Sequence, residues 1–349
     1  MNNVLFIGSL SSCQGTGRYK SFLKIFGSKN VNYFEPYKLL FSCLNKYEMA
    51  IYYKFGATKK VDKVIKNFLK SIYQEKYFKF IWIETPELFG NLSLKFLKER
   101  SKYIHLYGND NPFEGKQKAR FKLFHSSLKQ YSSMCFVRNS SVIKARNVSG
   151  ANIFREYHSY PEFLFNQDQN YLTTKDIAET DIYKPGAVFI GTNIPGCERK
   201  KILKDIAISI NRLDIYGNKW GDKDSCFPCK IFKESINEEY IRAIQSRRVN
   251  IIMLNKNNLD THTSRSVEVP AFKGLGLYPP TEDHKFILGN KLKKELIYES
   301  KYELVEKINL LSLEKNKFLD NLQTLNNRVK ELKLSSYDSI KRQLKTIDL

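Results

Sequence analysis

Short apolar runs alternate with segments of helical periodicity along most of the chain. Four continuous runs in the first half predict buried strands: Val4–Ile7, Phe80–Ile83, Tyr103–Tyr107 and Met134–Val137. Buried strands separated by helices are typical of βαβ units, whose parallel sheets bind ligands at the carboxyl ends of the strands. The first half is therefore predicted to be an α/β domain.

The helices of this half differ in how clearly the sequence marks them. One is predicted from about Arg18 to Phe26. Between Lys59 and Lys79, apolar residues recur at helical spacing and seven lysines stand against two acidic residues, which predicts an amphipathic helix with a basic outer face. Tyr47–Tyr53 fits either a helix or a strand.

The same alternation starts again after a break. Residues 160–184 lack periodicity and end in the turn sequence Lys184-Pro185-Gly186. Strands are then predicted at Ala187–Gly191, Asp214–Gly217 and Val249–Leu254. We predict an N-terminal domain over residues 1–165, a linker over 166–185, a second domain over 186–325, and a C-terminal helix over 326–349 that packs back on the first domain.

The charge balance changes this picture, because 58 Lys and Arg against 36 Asp and Glu give a net charge of +22. Such a charge favours anionic partners: nucleotide phosphates, anionic lipid surfaces, polyanionic glycans or nucleic acid. The basic Lys59–Lys79 face is either a solvated helix surface or a contact with an anionic membrane. No apolar run reaches about 18 residues and the first residues do not resemble a signal peptide, so we expect a cytoplasmic protein, peripheral at most on the inner membrane face.

The cysteines and acidic pairs give no metal or redox signal. Six cysteines are scattered along the chain, and Cys226-Phe227-Pro228-Cys229 lacks the second CxxC or His pair that a zinc site needs. The acidic pair in Asp222-Lys223-Asp224 lies in a polar loop without a preceding strand. We therefore predict ordinary thiols, no metal and no cofactor.

Three loops after predicted strands carry residues suited to phosphates. In the first, Gly15, Thr16, Gly17 and Arg18 precede a helix, where glycines allow close backbone approach. A tight turn without a ligand explains the same glycines, so both interpretations stay open.

The second loop follows the strand that ends at Gly191 and contains Asn193 and Arg199. Basic residues at a helix start oppose the helix dipole, and a diphosphate would relieve that repulsion. The alternative is that these side chains extend into solvent.

The third loop leads into a helix that is predicted to begin near Thr263 or Ser264, both good N-cap residues. Arg265 then lies about one turn before Glu268. Backbone amides at this helix start suit phosphates, and Glu268 suits a ribose diol. A capping box is the structural alternative for Glu268.

This third segment resembles the motif of group 1 glycosyltransferases, in particular the branch of spore-maturation CgeB-like proteins. Residues 263–271 read Thr-Ser-Arg-Ser-Val-Glu-Val-Pro-Ala, with Ser266 replacing one apolar residue of the family pattern. Phe189–Asn193, Ile215–Trp220 and Tyr298–Leu304 resemble further family segments, and Gly108–Phe113 resembles its Asp-containing loop. The resemblance lies almost entirely in residues 185–310.

The resemblance implies a GT-B fold: two Rossmann-like domains facing across a cleft, followed by C-terminal helices, without a metal requirement. It places the donor nucleotide in the C-terminal half and the acceptor in the N-terminal half. Arg265 and the amides at Thr263 and Ser264 would contact the diphosphate, and Glu268 the ribose. The donor site would also include Gly191, Asn193, Arg199, Tyr216 and Gly217, with backbone near Ile231 and Phe232 at the base. The acceptor side of the cleft would include Gly15, Thr16, Gly17 and Arg18.

The acid–base residue stays open at this point. Many group 1 enzymes carry two spaced glutamates, and the first falls here on Asp260, which has a shorter side chain. Asp110 is our first candidate for a general base, against a plain Asx turn, and His262 is the second, against a loop histidine without a role.

We therefore predict a glycosyltransferase that uses a nucleotide-sugar donor and a cell-surface glycan or lipid-linked acceptor. The alternatives are a nucleic-acid-binding or nucleic-acid-modifying protein, which the charge favours but the missing recognition motifs disfavour, and a noncatalytic protein that keeps the fold.

Overall fold

The buried apolar runs of the first half form a parallel sheet in the computed structural model, which describes residues 3–115, 118–165, 182–194, 198–210, 212–220, 229–233 and 237–348. The chain divides into unit 1 (residues 1–161, 257–260 and 336–349) and unit 2 (residues 162–256 and 261–335). The strands of unit 1 are β1 (Val4–Ile7), β2 (Val31–Phe34), β3 (Phe80–Ile83), β4 (Ile104–Gly108), β5 (Ser133–Phe136) and β6 (Asn152–Arg155). They pair in the order β2-β1-β3-β4-β5-β6, all in parallel.

The helices that connect these strands cover both faces of the sheet. They are α1 (Cys13–Phe26), α2 (Pro36–Cys43), α3 (Lys46–Phe55), α4 (Lys59–Tyr73), α5 (Asn91–Lys98), α6 (Lys122–Ser127) and α7 (Asn139–Val148). One core lies between the sheet and the α2–α7 side, and it includes Ile65, Leu69 and Phe124. The other core lies against α1 and includes Phe22 and Trp82.

Unit 2 repeats the arrangement with a smaller sheet. Its strands are β7 (Lys184–Ile190), β8 (Leu213–Tyr216), β9 (Lys230–Phe232), β10 (Arg247–Ile251) and β11 (Gly276–Leu277), paired in parallel in the order β11-β10-β7-β8-β9. Its helices are α8 (Arg199–Ser209), α9 (Asn237–Gln245), α10 (Ser264–Ala271), α11 (Glu282–Leu296), α12 (Lys301–Leu313) and α13 (Lys315–Glu331). The chain ends with α14 (Ser336–Thr346), which belongs to unit 1.

The structure changes the start of one predicted helix and decides an ambiguous segment. Helix α1 begins at Cys13, earlier than predicted, because the Ser12 hydroxyl caps it by accepting a hydrogen bond from the Gly15 N–H at 3.1 Å. The ambiguous segment Tyr47–Tyr53 lies in α3, which a capping box of Asn45 and Glu48 begins.

The sequence did not reveal the edge strands β2 and β6, whose residues are mostly only partly buried. Their amphipathic signal is therefore weak. Within the described ranges, no helix is both long and apolar enough to cross a bilayer.

Some predicted features fall on residues outside the described ranges. Residues 166–181 of the predicted linker, Cys197, Cys226 and the Asp222–Asp224 pair are among them. Within the described ranges, the two α/β units with parallel sheets and the C-terminal helices confirm the predicted fold class.

Candidate active site

The second sheet contains a topological switch point between β7 and β10. The chain proceeds from β7 outward to β8 and β9 and then returns to β10 on the other side of β7. Loops that leave neighbouring parallel strands in opposite directions open a crevice at their carboxyl ends, where α/β proteins bind ligands. The loops after β7 and β10 carry most of the predicted donor residues, so topology and sequence indicate the same edge of the sheet.

Arg199 joins the two loops at this switch point. Its guanidinium donates to the carbonyl oxygen of Thr192 at 3.0 Å and lies 3.5 Å from the carbonyl oxygens of Met253 and Leu254. The residue is buried and its guanidinium lies above the Phe189 ring. Arg199, which the sequence predicts to contact the diphosphate, thus holds the loops after β7 and β10 together. It also adds positive charge beneath the crevice.

The predicted glycines bring two loops into close contact. The Gly191 N–H donates to the Tyr216 carbonyl oxygen at 2.9 Å, and Gly217 has a φ of +148°. A Cβ at Gly217 would lie 2.2 Å from the Gly191 carbonyl oxygen, which only glycine avoids. The Asn193 side chain donates to the Lys219 carbonyl oxygen at 3.0 Å and secures the same contact.

Two stacked aromatic residues lie where the nucleotide base is predicted to bind. The rings of Tyr216 and Phe232 are stacked at 4.5 Å with an interplanar angle of 11°. Phe232 is partly exposed and Ile231 beside it is half-buried. This pair offers a flat apolar surface at the ends of β8 and β9.

The start of α10 has polar atoms that the described protein leaves unpaired. Ser266, which departs from the family pattern, caps the helix by accepting from the Thr263 N–H at 3.0 Å, and it also bonds His284 at 2.8 Å. Thr263 Oγ1 and Arg265 Nε are buried without a hydrogen-bond partner among the described residues. Because buried polar atoms are normally paired, this helix start suits an anionic ligand.

Glu268 is buried one turn further along α10. It is 4% exposed, and its Oε2 accepts a hydrogen bond from the Tyr240 hydroxyl at 2.7 Å. Because Ser266 occupies the capping position, the capping-box alternative for Glu268 does not hold. A buried carboxylate in a fixed orientation matches the predicted ribose acceptor.

His262 lies just before α10 and is almost fully buried. Its Nδ1 is 3.0 Å from Asp283 Oδ2, so the acidic residue fixes the orientation of the ring. Neighbouring His284 has its pKa lowered to about 4 by burial. His262 is thus a histidine oriented by a carboxylate, as general bases often are.

Asp110 follows β4 in unit 1 and is held by two donors. Arg120 donates to Oδ2 at 2.8 Å and the Asn258 amide donates to Oδ1 at 3.1 Å. Asp110 borders a cavity of about 80 Å³ that Glu84 and Glu87 also line. Burial raises the pKa of the Glu87 carboxyl, while Arg120 acts in the opposite direction. The cavity combines these charged side chains with the apolar rings of Phe121 and Phe136, and Asp110 lies at its partly exposed edge.

Asp260 belongs to unit 1 although it precedes a helix of unit 2. It accepts hydrogen bonds from Nε and Nη2 of Arg138, and both side chains are less than 10% exposed. Arg138 also donates to the Asn109 carbonyl oxygen. Asp260 therefore anchors the segment Asn257–Asp260 beside the loop that carries Asp110.

The predicted acceptor residues lie inside α1 rather than in a loop. Arg18 is buried and donates to Glu84 at 2.5 and 2.9 Å. A Cβ at Gly15 would lie 1.9 Å from the Ser9 carbonyl oxygen, and one at Gly17 would lie 2.5 Å from Pro161. Thr16 Oγ1 donates to the Leu10 carbonyl oxygen at 2.9 Å. The structure thus supports the tight-packing interpretation of these glycines, and their acceptor role stays a prediction.

Several partners escaped the sequence analysis: Tyr240, Asp283, Arg120, Arg138, Asn258, Glu84 and Glu87. Polar Glu84 and Glu87 directly follow a buried strand, which is a signal that the sequence did contain. The other partners lie between 10 and 148 residues away in the sequence from the side chains that they bond. Within the described ranges, no group of three or more His, Cys, Asp or Glu side chains is arranged to hold a metal ion.

Comparison with protein families matches residues 199–337 to the family model described as "Glycosyl transferase-like". This segment contains α8 to α13, and the match agrees with the predicted enzyme class. It does not distinguish the CgeB-like branch, which stays a prediction. No curated protein matches the sequence closely enough to count as a relative.

Known structures resemble the chain over its whole length. The structure of Anabaena HepE with UDP-glucose has a TM-score of 0.63 at 9% identity and covers 100% of both chains. A trehalose-phosphate synthase from Burkholderia xenovorans has a TM-score of 0.60 at 9% identity, covering 100% of this chain and 99% of the other. The T4 phage β-glucosyltransferase, described as a DNA modifying enzyme, has a TM-score of 0.54 at 14% identity, covering 99% and 100%. These structures confirm the predicted GT-B fold.

Proposed function

We propose that this protein is a glycosyltransferase that transfers a sugar from a UDP-sugar to an anionic or lipid-linked acceptor, such as a cell-surface glycan precursor, without a metal ion. The observation that carries the proposal is the start of α10, where buried Thr263 Oγ1 and Arg265 Nε have no hydrogen-bond partner among the described residues. The family match covers this helix, and HepE and the T4 enzyme were crystallised with UDP-glucose.

In this proposal the nucleotide binds at the switch point of unit 2. The diphosphate contacts the α10 amides and Arg265, and the ribose contacts Glu268. Arg199 adds charge from beneath, and the Tyr216–Phe232 pair faces the base. Either Asp110 or His262 removes the proton from the acceptor hydroxyl. Asp260 positions the segment Asn257–Asp260 beside the loop that carries Asp110.

Nucleotide titration tests the donor assignment. Calorimetry with UDP, GDP and CDP on the wild-type protein and on Arg265→Met should give UDP the lowest Kd, with a clear loss in the variant. A ligand at 100 times its Kd should also stabilise the fold by about 2.7 kcal/mol. No binding of any of the three nucleotides would refute the proposal.

A second candidate is sugar transfer to DNA, which one observation favours. Unit 1 carries 30 Lys and Arg against 13 Asp and Glu, a net charge of +17 out of +22. Incubation of the protein with a UDP-[¹⁴C]sugar and duplex DNA, followed by precipitation of the DNA, separates the two candidates. Label in the DNA would favour this second function over a glycan or lipid acceptor.

A further inference from the structure

Helix α3 presents an apolar stripe to solvent. Tyr47, Ile51 and Phe55 are 84%, 50% and 49% exposed, and their spacing of four residues places them on one face of the helix. We call these three residues the α3 stripe. Large apolar side chains in such an arrangement are unfavourable in water and mark surfaces that contact another apolar phase.

The stripe is carried by a firmly packed helix. Tyr52, which lies beside the stripe on the inward side of the helix, is 2% exposed, belongs to the core of unit 1 and bonds the Tyr37 hydroxyl at 2.9 Å. At the end of α3, Gly56 has a φ of +84°, and a Cβ there would lie 2.3 Å from the Ala119 carbonyl oxygen. The exposure of the stripe therefore follows from how α3 docks on the fold.

A further exposed aromatic residue lies on the preceding helix, α2. Phe41 on α2 is 58% exposed, and its ring is stacked on Tyr37 at 6.2 Å, the same tyrosine that bonds α3. Two consecutive helices thus direct aromatic side chains into solvent.

Positive charge surrounds the stripe. The Lys54 ammonium lies 5.2 Å from the centre of the Phe55 ring, and Lys46, Lys59 and Lys60 are exposed near the two ends of α3. Lys60 pairs with Glu48, which lies one residue after Tyr47. The surrounding unit has a net charge of +17. The surface is therefore both apolar and strongly basic.

This combination selects among partners. A second copy of the chain would bring another +17 unit against the first, which disfavours self-association. Nucleic acid would satisfy the lysines and stack on Tyr47 or Phe55, but it offers little to Ile51. The interface of an anionic bilayer accepts aliphatic and aromatic side chains and attracts flanking lysines.

We propose that the α3 stripe inserts into the interface of an anionic phospholipid bilayer and holds unit 1 on the membrane. Membrane binding by the α3 stripe does not depend on the proposed function. Only its purpose rests on that function: it would bring the acceptor-binding unit to a lipid-linked acceptor. It differs from a purely electrostatic contact through the basic face of α4, because the apolar part of the binding energy does not fade with salt.

Cosedimentation with vesicles tests the proposal. Wild-type protein should bind phosphatidylglycerol vesicles more strongly than phosphatidylcholine vesicles, and the apolar part of the binding should survive high salt. The triple variant Tyr47→Gln, Ile51→Gln, Phe55→Gln should lose partitioning by a factor on the order of 100, since three exposed apolar side chains no longer become buried in the bilayer interface.

The matched control changes three exposed apolar residues of unit 2, Ile208→Gln, Tyr302→Gln and Leu313→Gln, which are 69%, 72% and 83% exposed. It should bind vesicles like the wild type. A separate variant, Ile51→Trp, should show a blue-shifted emission with phosphatidylglycerol vesicles and quenching by brominated lipid. This fluorescence measurement reports insertion directly and does not depend on a loss of vesicle binding in a variant.

Equal sedimentation of the stripe variant and the wild type, or an unshifted emission of Ile51→Trp, would overturn the proposal. Stripe-dependent binding to DNA in place of vesicles would overturn it as well. UDP binding is measured in the absence of vesicles, and vesicle binding in the absence of nucleotide. Failure of the membrane proposal is therefore distinguishable from failure of the glycosyltransferase assignment.

Discussion

Replacing Glu268 by glutamine is expected to weaken UDP binding while the chain stays folded. The carboxylate is 4% exposed, and its Oε2 accepts the Tyr240 hydroxyl at 2.7 Å. Glutamine keeps the volume and one acceptor oxygen but removes the charge that is proposed to bind the ribose hydroxyls. A charge-assisted hydrogen bond is worth about 1.5–3 kcal/mol, so the Kd for UDP should rise about 10- to 150-fold.

Calorimetry with two ligands makes this prediction specific to the ribose. Wild-type protein should prefer UDP over 2′-deoxy-UDP, and Glu268→Gln should lose most of that preference, because the lost partner is the hydroxyl itself. Tyr240→Phe is the matched control, since it removes the other hydrogen bond of the same carboxylate but keeps its charge. This control should stay within a few-fold of wild-type affinity.

Two results would contradict the assignment. One is a Glu268→Gln variant that binds UDP as tightly as the wild type. The other is an unchanged ratio of UDP to 2′-deoxy-UDP affinity in all three proteins. Thermal melting of each variant without nucleotide checks that a loss of binding does not come from unfolding.

Four further outcomes are expected. Chelation by EDTA should leave sugar transfer unchanged, and loss of activity with rescue by manganese would contradict metal independence. Lys63→Gln, Lys66→Gln and Lys70→Gln together should reduce vesicle binding strongly at low salt and weakly at high salt, because the basic face of α4 acts electrostatically. Arg138→Met should lower stability in urea by about 3–5 kcal/mol, since its buried carboxylate partner loses its counter-charge, and a smaller loss would argue against a buried pair. Burial lowers the pKa of His284 to about 4 from 6.5, so the stability that its neutral form provides should be complete above pH 6.5 and fall toward pH 4, by up to about 1.4 kcal/mol per pH unit; His284→Gln should flatten this slope.

The sequence determined features that depend on neighbouring residues. Buried strands such as β1 and β3 are continuous apolar runs, and α10 begins at Ser264, directly after Thr263 in the N-cap position. Arg265 and Glu268 fall within the first turns of that helix, so their closeness needs no tertiary information. The other predicted donor residues, such as Gly191 and Tyr216, come to the same edge of the second sheet only through its strand order.

Only the tertiary structure decided which partners the candidate acid–base residues have. Asp110 and Asp260 appear in the sequence as two isolated loop carboxylates, but Arg120, Asn258 and Arg138 hold them. Asn258 and Arg138 are 148 and 122 residues from the carboxylates that they bond, and Arg120 is 10 residues from Asp110, beyond one helical turn. No local pattern encodes such contacts. The same holds for the segment Asn257–Asp260, which the sequence assigns to the second domain and the structure to unit 1.

Surface chemistry divides in the same way. The sequence alone established the net charge of +22, and the tertiary structure assigned +17 of it to unit 1. Tyr47, Ile51 and Phe55 resemble core residues when seen in the sequence, but Met49 and Tyr52 of α3 pack against the core of unit 1 and leave them in solvent. Exposure depends on which face a helix docks, and that choice is made by the rest of the fold.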